Sequence, residues 1–200
     1  MQSILISPVK SLIAGLVISA IVLALWLGIA GADRVGLASF VLRWLHVLTS
    51  IVWVGLIWFV NFIQLAAVRE ANDAERAAIH KLIVPRVAVT FRHASHAVML
   101  SGILLLVTSG YLLDRLMFTS AVYIPPLRNW LLWGGTIAGT AMWAFVHFKI
   151  WPAIRLVLAE PAADAAAIAA ARDTVRTYAR LNLILAIPVT FVMVAAAHLY

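Results

Sequence analysis

The chain of 200 residues is 64% hydrophobic and 12% charged, with a mean hydropathy of +1.03 and a formal net charge of +7. A soluble domain carries about a quarter charged residues and needs a wetted exterior. This balance therefore excludes a soluble enzyme, a disordered tail and a secreted disulfide scaffold, and it points to an integral membrane protein. The absence of cysteine also excludes disulfides, iron–sulfur clusters, thiolate metal sites, cysteine nucleophiles and covalent attachment of a c-type haem.

A membrane-crossing helix needs about 20 mostly apolar residues, and five segments meet that test. The first runs from Ser11 to Ala30. Ala30-Gly31-Ala32 resembles the small-residue cleavage site of a signal peptide, but the apolar run is long for one, and a retained helix is expected. The second runs from Leu37 to about Ala67, the third from Ala94 to Leu113, the fourth from Trp130 to Ile150 and the fifth from Leu181 to Leu199. No strand-type alternation competes with them. The expected fold is all-α: a polytopic membrane helical bundle with five transmembrane helices, forming a single domain over residues 1–200.

Lys and Arg are unevenly divided between the two ends of these spans. With five spans, Lys10, Arg69, Arg76, Lys81, Arg86, Arg92, Lys149, Arg155, Arg172, Arg176 and Arg180 share one side. Arg34, Arg43, Arg115 and Arg128 share the other. The basic side is expected to be cytoplasmic, which puts the N-terminus inside and the C-terminus outside, in a bacterial inner membrane. The positive charge is thus a topology signal, and nucleic acid is not an expected partner.

The Glu70–Leu82 and Ala162–Arg180 stretches mix charged residues with Ala and are expected to form cytoplasmic extensions of the spans or interfacial helices. Pro85, Pro125, Pro126, Pro152 and Pro161 are read as marking span ends or loops, while Pro188 falls inside the fifth span, where a kink is expected. Trp26, Trp44, Trp130 and Trp133 form an outer aromatic belt with Trp151 inside. Trp53 and Trp58 lie deeper and are expected to pack in the core.

The spans hold no clear carboxylate, since Glu70 and Asp114 fall at span ends, which disfavours a proton pump or cation transporter. Histidine is what remains. His46, His93, His96, His147 and His198 lie in or at the ends of spans, and His80 lies in a loop. Counting along the spans sorts them into two layers: His46 with His198 outside, and His96 or His93 with His147 inside. Imidazoles from two helices can ligate one haem iron, and two such layers suit stacked haems of a membrane cytochrome b. One or two haem b groups are therefore the expected cofactor. Arg43, three residues before His46, and Arg92 and Lys149 near the inner layer offer cations for propionates. Interfacial histidines also serve as plain amphipathic anchors, and His198 near Tyr200 fits that bland role. Gly102, Gly110, Gly134, Gly135 and Gly139 leave room for a macrocycle or for close helix packing. Asn61 and Gln64 are read as interhelical hydrogen-bond partners, or as contacts for a quinone or polar substrate.

Arg43-Trp44-Leu45-His46-Val47, followed by Trp53-Val54-Gly55-Leu56 and Asn61-Phe62, resembles the second-helix signature of the bacterial membrane urate oxidase (urate hydroxylase) N-terminal domain family. Lys81-Leu82-Ile83-Val84-Pro85-Arg86, Ile150-Trp151-Pro152, Arg180-Leu181-Asn182, Pro188-Val189-Thr190-Phe191-Val192-Met193 and Ala197-His198 are similar to the same family. The Trp-Leu-His pattern also resembles HemJ-type protoporphyrinogen oxidases and CopD-like proteins, whose helix histidines are associated with haem or metal. The urate oxidase resemblance implies an inner-membrane oxidase that hydroxylates urate and hands electrons to an appended cytochrome c domain. With no cysteine in the chain, electrons are expected to leave through a separate acceptor such as a cytochrome c or a quinone.

Three functions are weighed. The first is a membrane redox protein of urate-oxidase-like type, an oxidoreductase binding b-type haem between helices. The second is a non-catalytic accessory subunit of a larger respiratory or photosynthetic membrane complex. The third, a transporter using the histidines, is disfavoured because the polar groups gather at the two surfaces rather than at the midplane.

Overall fold

The computed structural model describes residues 5–31, 34–111, 126–158 and 164–198. Among these the chain is helical, with no strand. Five helical runs are long and apolar enough to cross a membrane: Pro8–Ile29, Gly36–Glu70, Asp73–Thr108, Leu127–Leu158 and Ala165–His198. Backbone proximity groups the chain into two units, Met1–Phe40 and Val41–Tyr200.

The first unit contains α1 (Pro8–Ala30) and the opening turns of α2 (Arg34–Trp58). Ser7 caps α1 by accepting a hydrogen bond from the Lys10 backbone N–H at 3.4 Å, and Pro8 fills the first turn, where its missing donor costs nothing. The helix is apolar all round and its side chains are exposed, including Leu12, Val17, Leu25 and Trp26. Trp26 and Phe40 approach with ring centroids 6.2 Å apart.

In the second unit α2 leads through a π-helical stretch, π1 (Phe59–Gln64), into α3 (Leu65–Glu70). The chain then turns at Ala71–Asn72. Asn72 accepts from the Glu75 N–H and Glu75 accepts from the Asn72 N–H, a reciprocal capping box that starts α4 (Asp73–Leu82). After a break at Ile83, α5 (Val84–Thr108) opens with Pro85 in its first turn. It ends where Gly110 adopts φ +75° and its N–H reaches the Val107 carbonyl, the left-handed stop that glycine takes without a Cβ penalty. The fourth run is α6 (Pro126–Phe145), π2 (Val146–Ile150) and α7 (Trp151–Leu158), and the fifth is α8 (Ala165–His198). Asp164 caps α8 by accepting from the Ala167 N–H at 3.1 Å.

The helical character expected for the Glu70–Leu82 and Ala162–Arg180 stretches is seen in α4 and in the first part of α8. The third helical run accordingly begins at Asp73, ahead of the apolar span from Ala94, and the fifth at Ala165, ahead of the span from Leu181. The expected end of the third span, Leu113, lies outside the described residues, as do Asp114, Arg115, Pro125, Pro161 and Tyr200. Pro152 sits within a helical run, not at its end. π2 finishes two residues before it, and that wider turn accommodates a residue that cannot donate to the Phe148 carbonyl and would otherwise crowd it. Helix α8 continues through Pro188.

The core joins four helical runs through Trp53, Ile57, Phe91, Ala94, Met142, Val146 and Ala186. Trp53 meets Phe91 edge-on at 6.4 Å, a favourable aromatic geometry. Helix α8 packs chiefly along α6 and also against α7. At their crossing a Cβ on Gly135 would stand 2.7 Å from Met193 Cε and 3.1 Å from Val192 Cγ2, whereas one on Gly139 would meet nothing within 4 Å. Trp58, unlike Trp53, is 46% exposed and stacks on Phe62 at 5.1 Å.

Candidate functional site

His46 belongs to α2 and turns toward α5. Its Nδ1 lies 3.0 Å from the Val98 carbonyl oxygen and 3.3 Å from Ser101 Oγ. A carbonyl oxygen only accepts, so Nδ1 carries the proton and Nε2 keeps its lone pair. The Ser101 hydroxyl donates to the Ala97 carbonyl at 2.6 Å, which leaves its oxygen free to share the imidazole proton. The ring lies flush against Gly102: a Cβ there would fall 2.9 Å from His46 Cε1 and 3.2 Å from Nδ1. A backbone carbonyl that orients the second ring nitrogen is the support that metal-ligating histidines ordinarily have. His46 is therefore a residue that could hold a metal-bearing group, through Nε2.

The His96–His147 pair has a different geometry. His96 on α5 and His147 in π2 have ring centroids 4.0 Å apart, tilted by 34°. Trp143, one turn before His147, covers that imidazole at 4.6 Å and meets His96 edge-on at 6.1 Å. Ser95 Oγ lies 3.5 Å from His147 Nε2. Two imidazoles ligating one iron from opposite sides must hold the macrocycle between them. These two rings are in van der Waals contact, with no layer between, so a haem sandwiched by this pair does not fit. His96 is exposed and His147 is partly so, and the stack lies on the outside of the bundle.

His93 is exposed on α5, as is His198 in the last turn of α8. Among the described residues neither a hydrogen bond nor a ring contact joins His198 to His46. Arg43 is exposed on α2. Arg92 places its guanidinium 4.5 Å over the Trp151 ring, and the Lys149 ammonium lies 5.9 Å from the Tyr178 ring. Among the described residues no group of three or more His, Asp or Glu side chains is arranged to hold a metal ion.

A second polar group occupies the bundle interior. Asn61, in π1, is 3% exposed and donates from Nδ2 to the Ile57 carbonyl at 2.8 Å and to the Ala179 carbonyl at 3.1 Å. Arg180 reaches the Asn61 carbonyl at 3.5 Å. Gln64 is 9% exposed, and Asn182 is wholly buried. The expected interhelical role of Asn61 is thus visible in its bond to α8.

Gly102, expected to leave room for a macrocycle or for close packing, holds the His46 ring itself. Several contributors escape a reading of the sequence: Val98 and Ser101 complete the seat of His46, and Asn182 hides in an apolar run. Trp143 alone carried a usable signal, standing four residues before His147 on one helix face. Comparison with known protein families, curated proteins and solved structures finds no match to this chain.

Proposed function

We propose that the chain is an integral membrane redox protein of urate-oxidase-like type that holds a b-type haem on His46 and passes electrons to a separate acceptor. The observation that carries this is the Nδ1–H bond of His46 to the Val98 carbonyl at 3.0 Å, over a glycine that leaves the ring room. Bound there, haem would supply one-electron transfer. The chain's own part is to fix the tautomer and hold the imidazole in place. Ser101 and Val98 set the orientation, and Gly102 sets the approach. Arg43, one turn from His46, is the cation nearest in sequence for a propionate.

The excess of Lys and Arg at the ends carrying Arg69–Arg92 and Lys149–Arg180 supports a bacterial inner-membrane orientation with those ends cytoplasmic. A reduced-minus-oxidised absorbance spectrum of the purified protein tests the haem assignment. A b-type α band that disappears in His46→Ala is expected, and protein purified from haem-replete cells without that band overturns it.

A second reading, an accessory subunit of a larger membrane complex, is favoured by one specific observation. His96 presents an imidazole, stacked on His147, to the outside of the bundle. Polar side chains within a membrane span ordinarily face protein or water rather than lipid, so a neighbouring subunit would cover this face. Size measurement in mild detergent separates the readings: a haem-free chain found only within a larger assembly supports the subunit.

A further inference from the structure

Arg92, His96 and His147 form a cluster of donor side chains that the site at His46 does not use. The Arg92 guanidinium carbon stands 4.5 Å over the Trp151 ring, and one turn further along α5 the His96 ring stacks on His147. Arg92 and His96 are four residues apart on one helix face, as are His147 and Trp151. The two contacts therefore form successive rungs between α5 and the fourth run. Ser95, wholly buried, joins them: its hydroxyl donates to the Arg92 carbonyl at 2.8 Å, and its oxygen lies 3.5 Å from His147 Nε2. Arg92 stands close enough to both imidazoles for its charge to act on each.

Among the described residues nothing neutralises this arginine, whose guanidinium makes no hydrogen bond and no ion pair. The described carboxylates are engaged elsewhere: Glu70, Asp73 and Asp173 pair with Arg69, Arg76 and Arg176, Glu75 serves the capping box and Asp164 the head of α8. Arg92 Nε is shielded without a partner, while both Nη groups stay accessible. Arginine keeps its charge at any physiological pH, and a charged donor left unpaired beside an apolar span is costly. A haem propionate, the partner expected from the sequence, is not supplied by a macrocycle between His96 and His147, because the stacked rings exclude one.

The rest of this face selects the ligand. The Trp151 indole lies against the guanidinium and leaves the Nη groups free, the pair through which arginine grips a phosphate in a bidentate fork. His96, exposed one turn on, adds an imidazole N–H. A further turn along the same face the side chains become apolar, with Leu100 and Leu104 exposed. Arg92 also stands just before the apolar stretch from Ala94, level with Trp151, and arginine and tryptophan mark the polar boundary of a bilayer. A phospholipid has this order of chemistry, phosphate first and acyl chain beyond it. A free phosphate has no use for the leucines, and a neighbouring subunit would have to bring a carboxylate to the same place.

We propose that Arg92, assisted by His96 and His147, holds the phosphate of an anionic phospholipid whose acyl chain runs along Leu100 and Leu104. Basic pockets between membrane helices bind anionic head groups in this way. The assignment rests on the bilayer reading of the five helical runs and is independent of haem binding at His46.

Melting of the full chain in an uncharged detergent, delipidated until no lipid phosphorus remains, tests this. A ligand that binds only the folded state raises the melting temperature with its concentration. Three probes separate the parts of the ligand: dioleoylphosphatidylglycerol, dioleoylglycerol with the same chains and no phosphate, and inorganic phosphate with no chains. Only phosphatidylglycerol is expected to give a saturable rise. Its apparent affinity should fall at least about tenfold in Arg92→Gln, as for the loss of one charge-assisted hydrogen bond. Arg86→Gln makes the same change in net charge at an exposed position on another face of α5, and it should keep the wild-type affinity. A wild-type melting temperature that phosphatidylglycerol leaves unchanged overturns the proposal and points to a neighbouring subunit's carboxylate instead. An equal rise with either of the other probes, or an equal loss in both variants, also overturns it. Should Arg92→Gln not fold, Arg92→Lys, which keeps the charge without the fork, is expected to weaken phosphatidylglycerol binding at least about threefold, and unchanged binding overturns the proposal.

Discussion

His46 donates its Nδ1 proton to the carbonyl oxygen of Val98, 52 residues further along the chain, across 3.0 Å. One bond thereby ties α2 to α5, fixes the imidazole tautomer and leaves Nε2 unprotonated. Its position depends on Gly102, because the ring occupies the space a Cβ would take.

Gly102→Ala tests that dependence. The new methyl would fall 2.9 Å from His46 Cε1, and the ring cannot yield without lengthening its bond to Val98. Overpacking of this kind costs about 1–3 kcal/mol, outweighing the roughly 0.5–1 kcal/mol helix gain from Gly to Ala. A lowered melting temperature in detergent is expected. An unchanged or raised one would show that the ring is not confined.

His46→Ala, His96→Ala and His147→Ala divide the proposed haem site. The stacked pair at 4.0 Å leaves no place for a macrocycle between the rings, so the b-type band should survive His96→Ala and His147→Ala and vanish with His46→Ala. Loss of the band in His96→Ala or His147→Ala, with His46→Ala retaining it, reverses the assignment.

Gly135 and Gly139 stand one turn apart on α6, and only the first is in close contact with α8. Gly139→Ala should stabilise by about 0.5–1 kcal/mol, the ordinary helix preference. Gly135→Ala should give less or become destabilising, because Met193 and Val192 must shift. Denaturant titrations of the two variants side by side read the difference, and equal gains would mean that the α6–α8 approach is looser than described.

Asn61→Leu removes the side-chain link between π1 and α8 at the Ala179 carbonyl. Losing one buried hydrogen bond, while the Ala179 carbonyl keeps its place in the helix ladder, costs about 0.5–1.5 kcal/mol. Helix α8 should loosen first near Ala179, seen as faster amide exchange around residues 175–183 than around 190–196. Uniform protection across α8 would place the anchoring elsewhere.

Composition and hydropathy alone determine the fold class. Twenty-residue apolar runs that hold scarcely a charge form helices when they cross a membrane, since backbone polar groups in an apolar solvent must bond within their own helix. The histidine inventory is legible for the same reason, because few other side chains in those runs carry chemistry. The helical character of the charged stretches is legible too, while their starting points are set locally, by the capping box at Asn72 and by Asp164 at the head of α8. The side-chain groupings became visible only in three dimensions. Which face a residue presents depends on helix phase, and the wide turns at Phe59–Gln64 and Val146–Ile150 shift that phase beyond what a regular 3.6-residue count can follow. That shift lies behind the stacking of His147 on His96 and the inward turn of Asn61, while the identity of residue 102 gains meaning only once a ring from another helix is seen to rest on it.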